Sequence, residues 1–157
     1  MRKTIERFYA LLERAGQSLQ SPFLLAVRLY WGWQFHVTGM GKLHHLDRVT
    51  AFFAQLGIPA PGINAPFVAV LEFAGGLLLA VGLGSRAIAL LLTIDMLVAF
   101  LTADREAFFS IFSDPNKLYA AAPYTFLFAS LVVLTFGPGK LALDSLIFKR
   151  TVGKTAN

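Results

Sequence analysis

The feature that most constrains this chain is an apolar stretch at residues 64–84, NAPFVAVLEFAGGLLLAVGLG, which contains one charged residue, Glu72. At about 1.5 Å per residue, about 20 helical residues span the roughly 30 Å hydrocarbon core of a bilayer. A carboxylate at that depth costs about 3 kcal/mol or more unless it faces other helices, is paired or is protonated. The stretch therefore predicts a membrane-spanning helix whose acidic side chain faces a polar protein interior.

The composition of the whole chain supports this class. The 157 residues are 56% hydrophobic and 15% charged, with a mean hydropathy of +0.62, which is too apolar for an ordinary soluble domain. There is no Cys, which excludes a disulfide, a thiolate metal site and a thiol relay within the chain. The net charge of +5 fits basic segments beside membrane helices, so we expect no nucleic-acid partner.

Hydrophobic periodicity predicts an all-α membrane protein of one domain, a four-transmembrane-helix bundle. Residues 1–20 carry apolar side chains on one helical face and predict an amphipathic helix on the membrane surface. Ser21 as N-cap and Pro22 in the first turn should then open the first crossing. The four crossings are predicted at about residues 21–41, 64–83, 87–103 and 117–136, before a basic cytoplasmic tail at 137–157.

Two connections have apolar patterns of their own and predict short interfacial helices. The first connection, residues 42–63, has Val49, Phe52, Phe53 and Leu56 at helical spacing before a run of Gly and Pro ends the pattern. The second, residues 104–116, is similarly amphipathic and rich in Phe. We expect both to lie at the edge of the bilayer, where an interrupted helix can still satisfy its backbone groups.

Small residues predict where the crossings touch. Gly32 and Gly39 share one face of the first crossing, and a small-xxx-small row of Gly76, Ala80 and Gly84 follows Glu72 in the second. Such rows allow two helix backbones to approach closely in a membrane. They predict a contact between crossings and also leave open a homo-oligomer formed through the same row.

The basic residues predict the orientation. With four crossings both termini share a side, and that side holds most of the Lys and Arg, which the positive-inside rule assigns to the cytoplasm. The residues on that side are Arg2, Lys3, Arg7, Arg14, Arg86, Lys140, Lys149, Arg150 and Lys154, against Lys42, Arg48, Arg105 and Lys117 on the other. The predicted location is the bacterial inner membrane, with a multi-pass chain and both termini cytoplasmic.

Polar residues inside the crossings are the candidate site. Counting helical rise from each membrane edge predicts one layer with Arg28 near Asp95, and a second layer with Glu72 near His36 and Gln34. Two interpretations stay open: a buried polar cluster that fixes helix packing, or a pocket that binds a polar head group or relays a proton.

Four stretches of this chain resemble the DoxX family of small bacterial inner-membrane proteins. They are RLYWGWQFHVTGMGKL at residues 28–43, FFAQLGIPAP at 52–61, VAVLEFAGGLLLAVGLGSR at 68–86 and GPGKLALD at 137–144. The resemblance implies a four-helix membrane fold and a role as an oxidoreductase or quinone-associated subunit, with some members linked to thiosulfate oxidation or oxidative stress defence. The chain departs from the family at Ala142, where many relatives have Ser, and at Tyr124 and Thr125, where many have an acid.

These patterns together define a set of candidate residues and exclude several cofactors. Haem with two His ligands is not predicted because His36 has no second intramembrane His, and His44, His45 and Asp47 form no convincing metal site. The ligand-binding or polar cluster is predicted to comprise Arg28, Gln34, His36, Lys42, Glu72, Asp95 and Tyr124.

The leading hypothesis is a redox-associated subunit that binds a quinone-like molecule in this cluster, with either that bound molecule or a soluble redox enzyme at the cytoplasmic side carrying the electrons. A transporter or channel for a small solute, and a scaffold that recruits a soluble enzyme, are the alternatives. No complete catalytic motif is present, so the sequence leaves open whether the chain is itself an enzyme.

Overall fold

The structure, a computed structural model, describes the backbone of residues 2–147 and the side chains of residues 5–147. The described chain is helical and contains no strand, which confirms the predicted all-α class. The basic residues Lys149, Arg150 and Lys154 of the predicted tail lie outside the described residues. The helices are α1 Arg2–His44, α2 Leu46–Gln55, α3 Pro61–Val81, α4 Ser85–Thr102, α5 Arg105–Phe109, α6 Pro115–Ala120 and α7 Pro123–Phe136.

Helix α1 is continuous where the sequence predicts a boundary. It runs for 43 residues, and Pro22 lies within it instead of opening a new helix. The Ser21 hydroxyl does not cap a helix; it accepts a hydrogen bond from the backbone N–H of Lys140 at 3.2 Å. A proline removes one helical hydrogen bond without obliging the helix to end, so the segment before Ser21 and the first predicted crossing form one element.

Helices α1 and α3 pack closely at the glycines that the sequence singles out. A methyl group added at Gly76 would lie 2.5 Å from the carbonyl oxygen of Gly32, and Gly39 lies against the backbone of Phe73. The predicted close approach at Gly32 and Gly39 is therefore confirmed. Gly84, the third member of the small-residue row, has open space around it. Because Gly76 packs inside the chain, it is not free to form a contact between copies.

The core lies between α1, α3, α4 and α7. Helix α4 packs against both α3 and α7, and the Thr93 hydroxyl donates a hydrogen bond to the Ser130 hydroxyl at 3.0 Å across the α4–α7 contact. The central apolar cluster consists of Phe35, Leu79, Ala89, Leu92, Met96 and Val133.

The last predicted crossing is interrupted. Helix α6 ends at Ala120, Ala121 is extended, and α7 starts at Pro123 and runs for 14 residues. Pro123 has no N–H to continue a helical ladder, which explains the break. At about 1.5 Å per residue, α7 alone is roughly 21 Å long, shorter than a typical hydrocarbon core.

Two described helices, Pro61–Val81 and Ser85–Thr102, are long and apolar enough to cross a membrane, and Pro123–Phe136 is a shorter apolar helix. Large apolar side chains are exposed on the outer faces of all three, for example Phe67, Ile94 and Phe128. Lipid would cover such faces in a bilayer, whereas a soluble monomer rarely exposes so much continuous apolar surface.

Candidate functional site

An ion pair between α1 and α3 forms the centre of the site. Lys42, in the last turn of α1, donates from Nζ to Oε1 of Glu72 in the middle of α3, at 2.6 Å. The Glu72 side chain is 3% exposed and the Lys42 side chain 31% exposed. Gly39 allows this pairing, because the absence of a side chain one turn before Lys42 lets α1 lie directly against α3.

Asp95 of α4 joins this pair, so that three helices contribute one ionisable side chain each. The Asp95 carboxyl interacts with Lys42 and lies close enough to the Glu72 carboxyl to share a hydrogen bond with it. Oε2 of Glu72 and Oδ2 of Asp95 are both buried, and no group in the described part of the chain donates a hydrogen bond to either oxygen. The cluster therefore combines two carboxyl groups, one ammonium group and two buried oxygens that still lack a donor.

A cavity of about 520 Å³ reaches this cluster from between α2, α3 and α4. The predicted apolar face of α2 forms one wall, and Lys42 and Asp95 lie at the polar end. Ligand sites are typically apolar cavities of about 300–1,000 Å³ with a few polar groups, and this one has that form. The apolar wall includes Val49, Phe52, Phe53, Leu56, Phe67, Leu71, Leu91, Ile94 and Val98.

A smaller cavity of about 240 Å³ lies on the other side of Lys42. Glu72 lines this smaller cavity and Asp95 lines the larger one, while Lys42 lines both. Thr38 and Asp104 are polar residues of its wall that our sequence-based set does not include. Thr38 could have been found, because it lies one helical turn before Lys42, but Asp104 follows the end of α4 and carries no comparable signal.

Arg28 lies outside this cluster, so the predicted layer of Arg28 with Asp95 is wrong. Its side chain is fully buried and donates from Nη2 to the carbonyl oxygen of Leu141 at 2.6 Å, and from Nη1 to that of Ala80 at 3.4 Å. Ala80 belongs to the last turn of α3, whose final carbonyl groups have no partner within the helix. Arg28 therefore ties the end of α3 to the segment after α7.

Asp144, from the same segment, binds the start of α4. Its two carboxylate oxygens accept the backbone N–H groups of Gly84 and Ser85 at 2.8 Å each. Partial burial disfavours ionisation of this carboxyl, but these N–H groups and the nearby Arg28 outweigh burial and hold the pKa of Asp144 below its usual value. The last described segment thus anchors one end of the bundle and lies outside both cavities.

The remaining predicted residues are dispersed. His36 contacts the carbonyl oxygen of Phe73 through Nδ1 at 3.1 Å, and its ring packs between Trp33 and Phe73. Gln34 is half-buried, and Tyr124 packs against the ring of Tyr119. None of the three predicted residues lines either cavity, so the predicted layer of Glu72 with His36 and Gln34 is not formed.

The site combines an apolar wall with a few ionisable side chains. Within residues 5–147 no group of three or more His, Asp or Glu side chains is arranged to hold a metal ion. An ammonium group can donate a hydrogen bond to a ligand oxygen, and a neighbouring carboxyl can give or accept a proton. The apolar wall can hold rings or a hydrocarbon chain.

Comparisons with known proteins agree with the sequence and the fold. The family model described as DoxX matches residues 23–105, which is more than half of the chain. CatD of Bacillus subtilis, named as a candidate oxidoreductase, is 29% identical over 125 residues, covering 80% of this chain and 87% of CatD. The inner membrane protein YqjF of Escherichia coli is 29% identical over 136 residues, covering 85% of this chain and 98% of YqjF.

The membrane protein Rv3486 of Mycobacterium tuberculosis is also 29% identical over 136 residues, covering 82% of this chain and 83% of Rv3486. No solved structure matches the chain significantly. The family match covers α2, α3, α4 and the second half of α1. It includes Lys42, Glu72 and Asp95. On this evidence the chain belongs to the DoxX family of membrane proteins.

Proposed function

We propose that this protein is a redox-associated membrane subunit that binds a quinone-type amphiphile in the larger cavity. The observation that carries the proposal is the form of that cavity: an apolar space of about 520 Å³ that ends at Lys42 and Asp95. A quinone has the matching form, with a flat ring, two carbonyl oxygens and a hydrocarbon tail. The name of CatD as a candidate oxidoreductase supports a redox role in this family.

The cavity wall suits both ends of such a molecule. Phe52 and Phe53 offer aromatic rings to the head group, and the Lys42 ammonium can donate a hydrogen bond to a quinone oxygen. Leu91 and Ile94 line the cavity and are also exposed on the outer face of α4, so a hydrocarbon tail can pass between them into lipid. A ligand could therefore enter from the bilayer without crossing the polar surface.

Electrons for this reaction come from outside the chain. Conversion of a quinone to a quinol takes two electrons and two protons, and the chain has no Cys and no predicted haem site. We propose that a reduced soluble redox protein docks on the bundle and supplies these electrons to the bound quinone. This subunit would then position the quinone and supply protons to it.

We also propose how the helices and the termini are oriented in the membrane. Helices α3 and α4 and the second half of α1 cross the inner membrane, and α6 and α7 together form the fourth crossing. The termini and the α3–α4 turn at Arg86 lie in the cytoplasm, as the distribution of basic residues favours. The part of α1 before Ser21, which exposes Phe8 and Leu12, continues the same helix beyond the membrane edge on the cytoplasmic side.

Calorimetric titration with a short-chain quinone tests the binding site. Ile94→Trp places a large side chain on the cavity wall, and Leu90→Trp makes the same change one turn earlier, at a similarly exposed position that does not line the cavity. We expect lipid-depleted wild-type protein and Leu90→Trp to bind the quinone with equal affinity, and Ile94→Trp to lose binding. Binding that is absent from all three proteins, or equal in all three, would contradict the proposed site.

A further inference from the structure

Glu72 and Asp95 belong to one cluster but line different cavities. Glu72 as a whole residue is 2% exposed, and it lines the smaller cavity but not the larger one. Asp95, on the opposite side of the same cluster, lines the larger cavity but not the smaller one. The two carboxyl groups approach each other closely. A proton that moved between them would pass from one cavity to the other.

The charges of the cluster argue that it holds such a proton. If both carboxyl groups were ionised, two negative charges would face one ammonium group in a largely buried site, and like charges at close range disfavour each other strongly. Oε2 of Glu72 and Oδ2 of Asp95 are buried acceptors that receive no hydrogen bond from residues 5–147. One proton shared between the two carboxyl groups would supply that donor and balance the charge of Lys42.

Among the residues that the structure describes, Lys42 is the one cation in the wall of the smaller cavity that could balance the two carboxyl groups. Helix α1 contributes Lys42 and the uncharged Thr38, and α4 contributes Asp95. Around the smaller cavity, the start of α7 contributes only Pro123 and Phe126, which do not titrate, so the remaining ionisable group of that wall is Asp104.

The smaller cavity also leads toward the protein surface. Asp104 is a wall residue both of this cavity and of a polar surface depression of about 610 Å³ formed by α5, α6 and the end of α4. Arg105, Glu106 and Lys117 line that depression. The smaller cavity thus connects Glu72 with a polar surface depression, and Asp104 lines both of them.

We propose that Glu72 and Asp95 share one proton, and that this proton exchanges with water through the smaller cavity, past Asp104, at the end of the bundle that carries α2, α5 and α6. The biological use of this route rests on the proposed quinone function, which it deepens by fixing the side from which the quinone receives its protons. If both termini lie in the cytoplasm, as proposed above, the route opens on the opposite side of the membrane.

The proton balance of the step is simple. In each of two transfers, the O–H bond of the carboxyl pair breaks and an O–H bond forms on a quinone oxygen, while the reduced soluble partner supplies one electron. The carboxyl pair then takes a new proton from water in the smaller cavity. Two transfers convert one quinone to one quinol, and the reverse sequence would release two protons through the same cavity.

Infrared spectroscopy of quinone-free protein tests this inference separately from the proposed function. A shared proton gives a carboxylic-acid C=O band, and transfer to D₂O shifts the band as the proton exchanges. We expect the band in wild-type protein and its loss in both Glu72→Gln and Asp95→Asn, because each variant leaves one carboxylate opposite one ammonium. A band that is missing from wild type, or that persists in both variants, would overturn the shared proton.

The rate at which the carboxylic-acid band shifts in D₂O tests whether the proton exchanges through the smaller cavity. Ala122 lines the smaller cavity, whereas Ala87 is exposed at the other end of α4 and lines none of the cavities described above. We expect Ala122→Trp to lose the fast exchange that wild type, Ala87→Trp and Ile94→Trp retain. Thr38→Leu, which fills the same cavity from α1, should act like Ala122→Trp and replaces it if that variant does not fold. Slow exchange in wild type, or loss of fast exchange only in Ile94→Trp, would overturn the route.

These measurements distinguish the two proposals. A protein with a shared, rapidly exchanging proton but no affinity for quinones would contradict the proposed function and leave the proton site standing. A protein that binds quinones at Ile94 but shows no carboxylic-acid band would contradict only the proton route.

Discussion

The ammonium of Lys42 and the carboxylate of Glu72 meet at 2.6 Å where the end of α1 crosses the middle of α3. This contact joins the two helices that the glycines bring together, and it places a charged cluster where two cavities converge. The same pair therefore contributes to helix packing and to the chemistry of the site. Substitutions of Lys42 and Glu72 therefore affect both the stability of the protein and the site.

Loss of Lys42 should destabilise the protein more than loss of the Glu72 charge. Lys42→Met leaves two buried carboxyl groups without a cation, and breaking a buried pair from one side costs about 3–5 kcal/mol. Glu72→Gln leaves Lys42 balanced by Asp95 and should cost clearly less. Thermal unfolding in mild detergent measures both, and the double variant should be more stable than Lys42→Met alone. Equal destabilisation by the two single variants would contradict the three-residue cluster.

Adjacent glycines of α3 should respond in opposite ways to the same substitution. At Gly76 a methyl group would lie 2.5 Å from backbone atoms of Gly32 and His36, whereas at Gly75 the nearest contact is a side-chain atom of Ile88 at 3.4 Å. We expect Gly76→Ala to destabilise the protein by about 1–3 kcal/mol through overpacking. Gly75→Ala should be neutral or stabilising because alanine favours the helix by up to about 1 kcal/mol.

Thermal unfolding of these two variants in the same detergent is the measurement. Wild-type stability of Gly76→Ala would show that α1 and α3 do not lie in backbone contact at this crossing.

Arg28 should control the segment after α7 and not the ligand site. Arg28→Lys keeps the charge but cannot reproduce the planar guanidinium contacts with the Leu141 and Ala80 carbonyl groups. Hydrogen–deuterium exchange should therefore become faster at residues 137–147, while the affinity for a short-chain quinone stays at the wild-type value. A variant with lost quinone affinity and unchanged exchange would instead assign Arg28 to the site.

Asp144 should give the protein an acid-dependent stability. Its folded-state pKa lies below the ordinary value of 3.8, so its stabilising effect is complete above about that pH and disappears as the pH falls through the lower folded-state value. Asp144→Asn should therefore lower the unfolding temperature at neutral pH, and the difference from wild type should shrink under strongly acidic conditions. A difference that is constant across this range would contradict an ionised cap on the N–H groups of Gly84 and Ser85.

The sequence predicts the apolar helices and their contact surfaces well, because burial in a helix requires a regular pattern. The stretch around Glu72 is a single helix, and the glycines Gly32 and Gly39 mark the crossing of α1 with α3. The apolar positions of the first connection form one face of α2 and line the larger cavity. Lys42, Glu72 and Asp95 were all among the predicted polar residues, and the structure brings these three together.

The partners within the site could not be predicted with the same success. Depth counting treats the helices as parallel rods with known ends, but α1 continues through Pro22 and the long side chain of Lys42 reaches back from the last turn of α1 to Glu72. Arg28 finds its partners partly in the irregular segment near Leu141. Helical periodicity carries no information about how such a segment folds back over the bundle.

The quinone site is tested most directly by identifying the small molecules that leave the membrane with the protein. Wild-type protein, Ile94→Trp and Leu90→Trp would be purified in mild detergent, extracted with organic solvent and compared by mass spectrometry. We expect an isoprenoid quinone in near-stoichiometric amount with wild type and Leu90→Trp, and its absence from Ile94→Trp. No quinone with wild type, or equal amounts with all three proteins, would contradict a quinone site in the cavity that ends at Lys42 and Asp95.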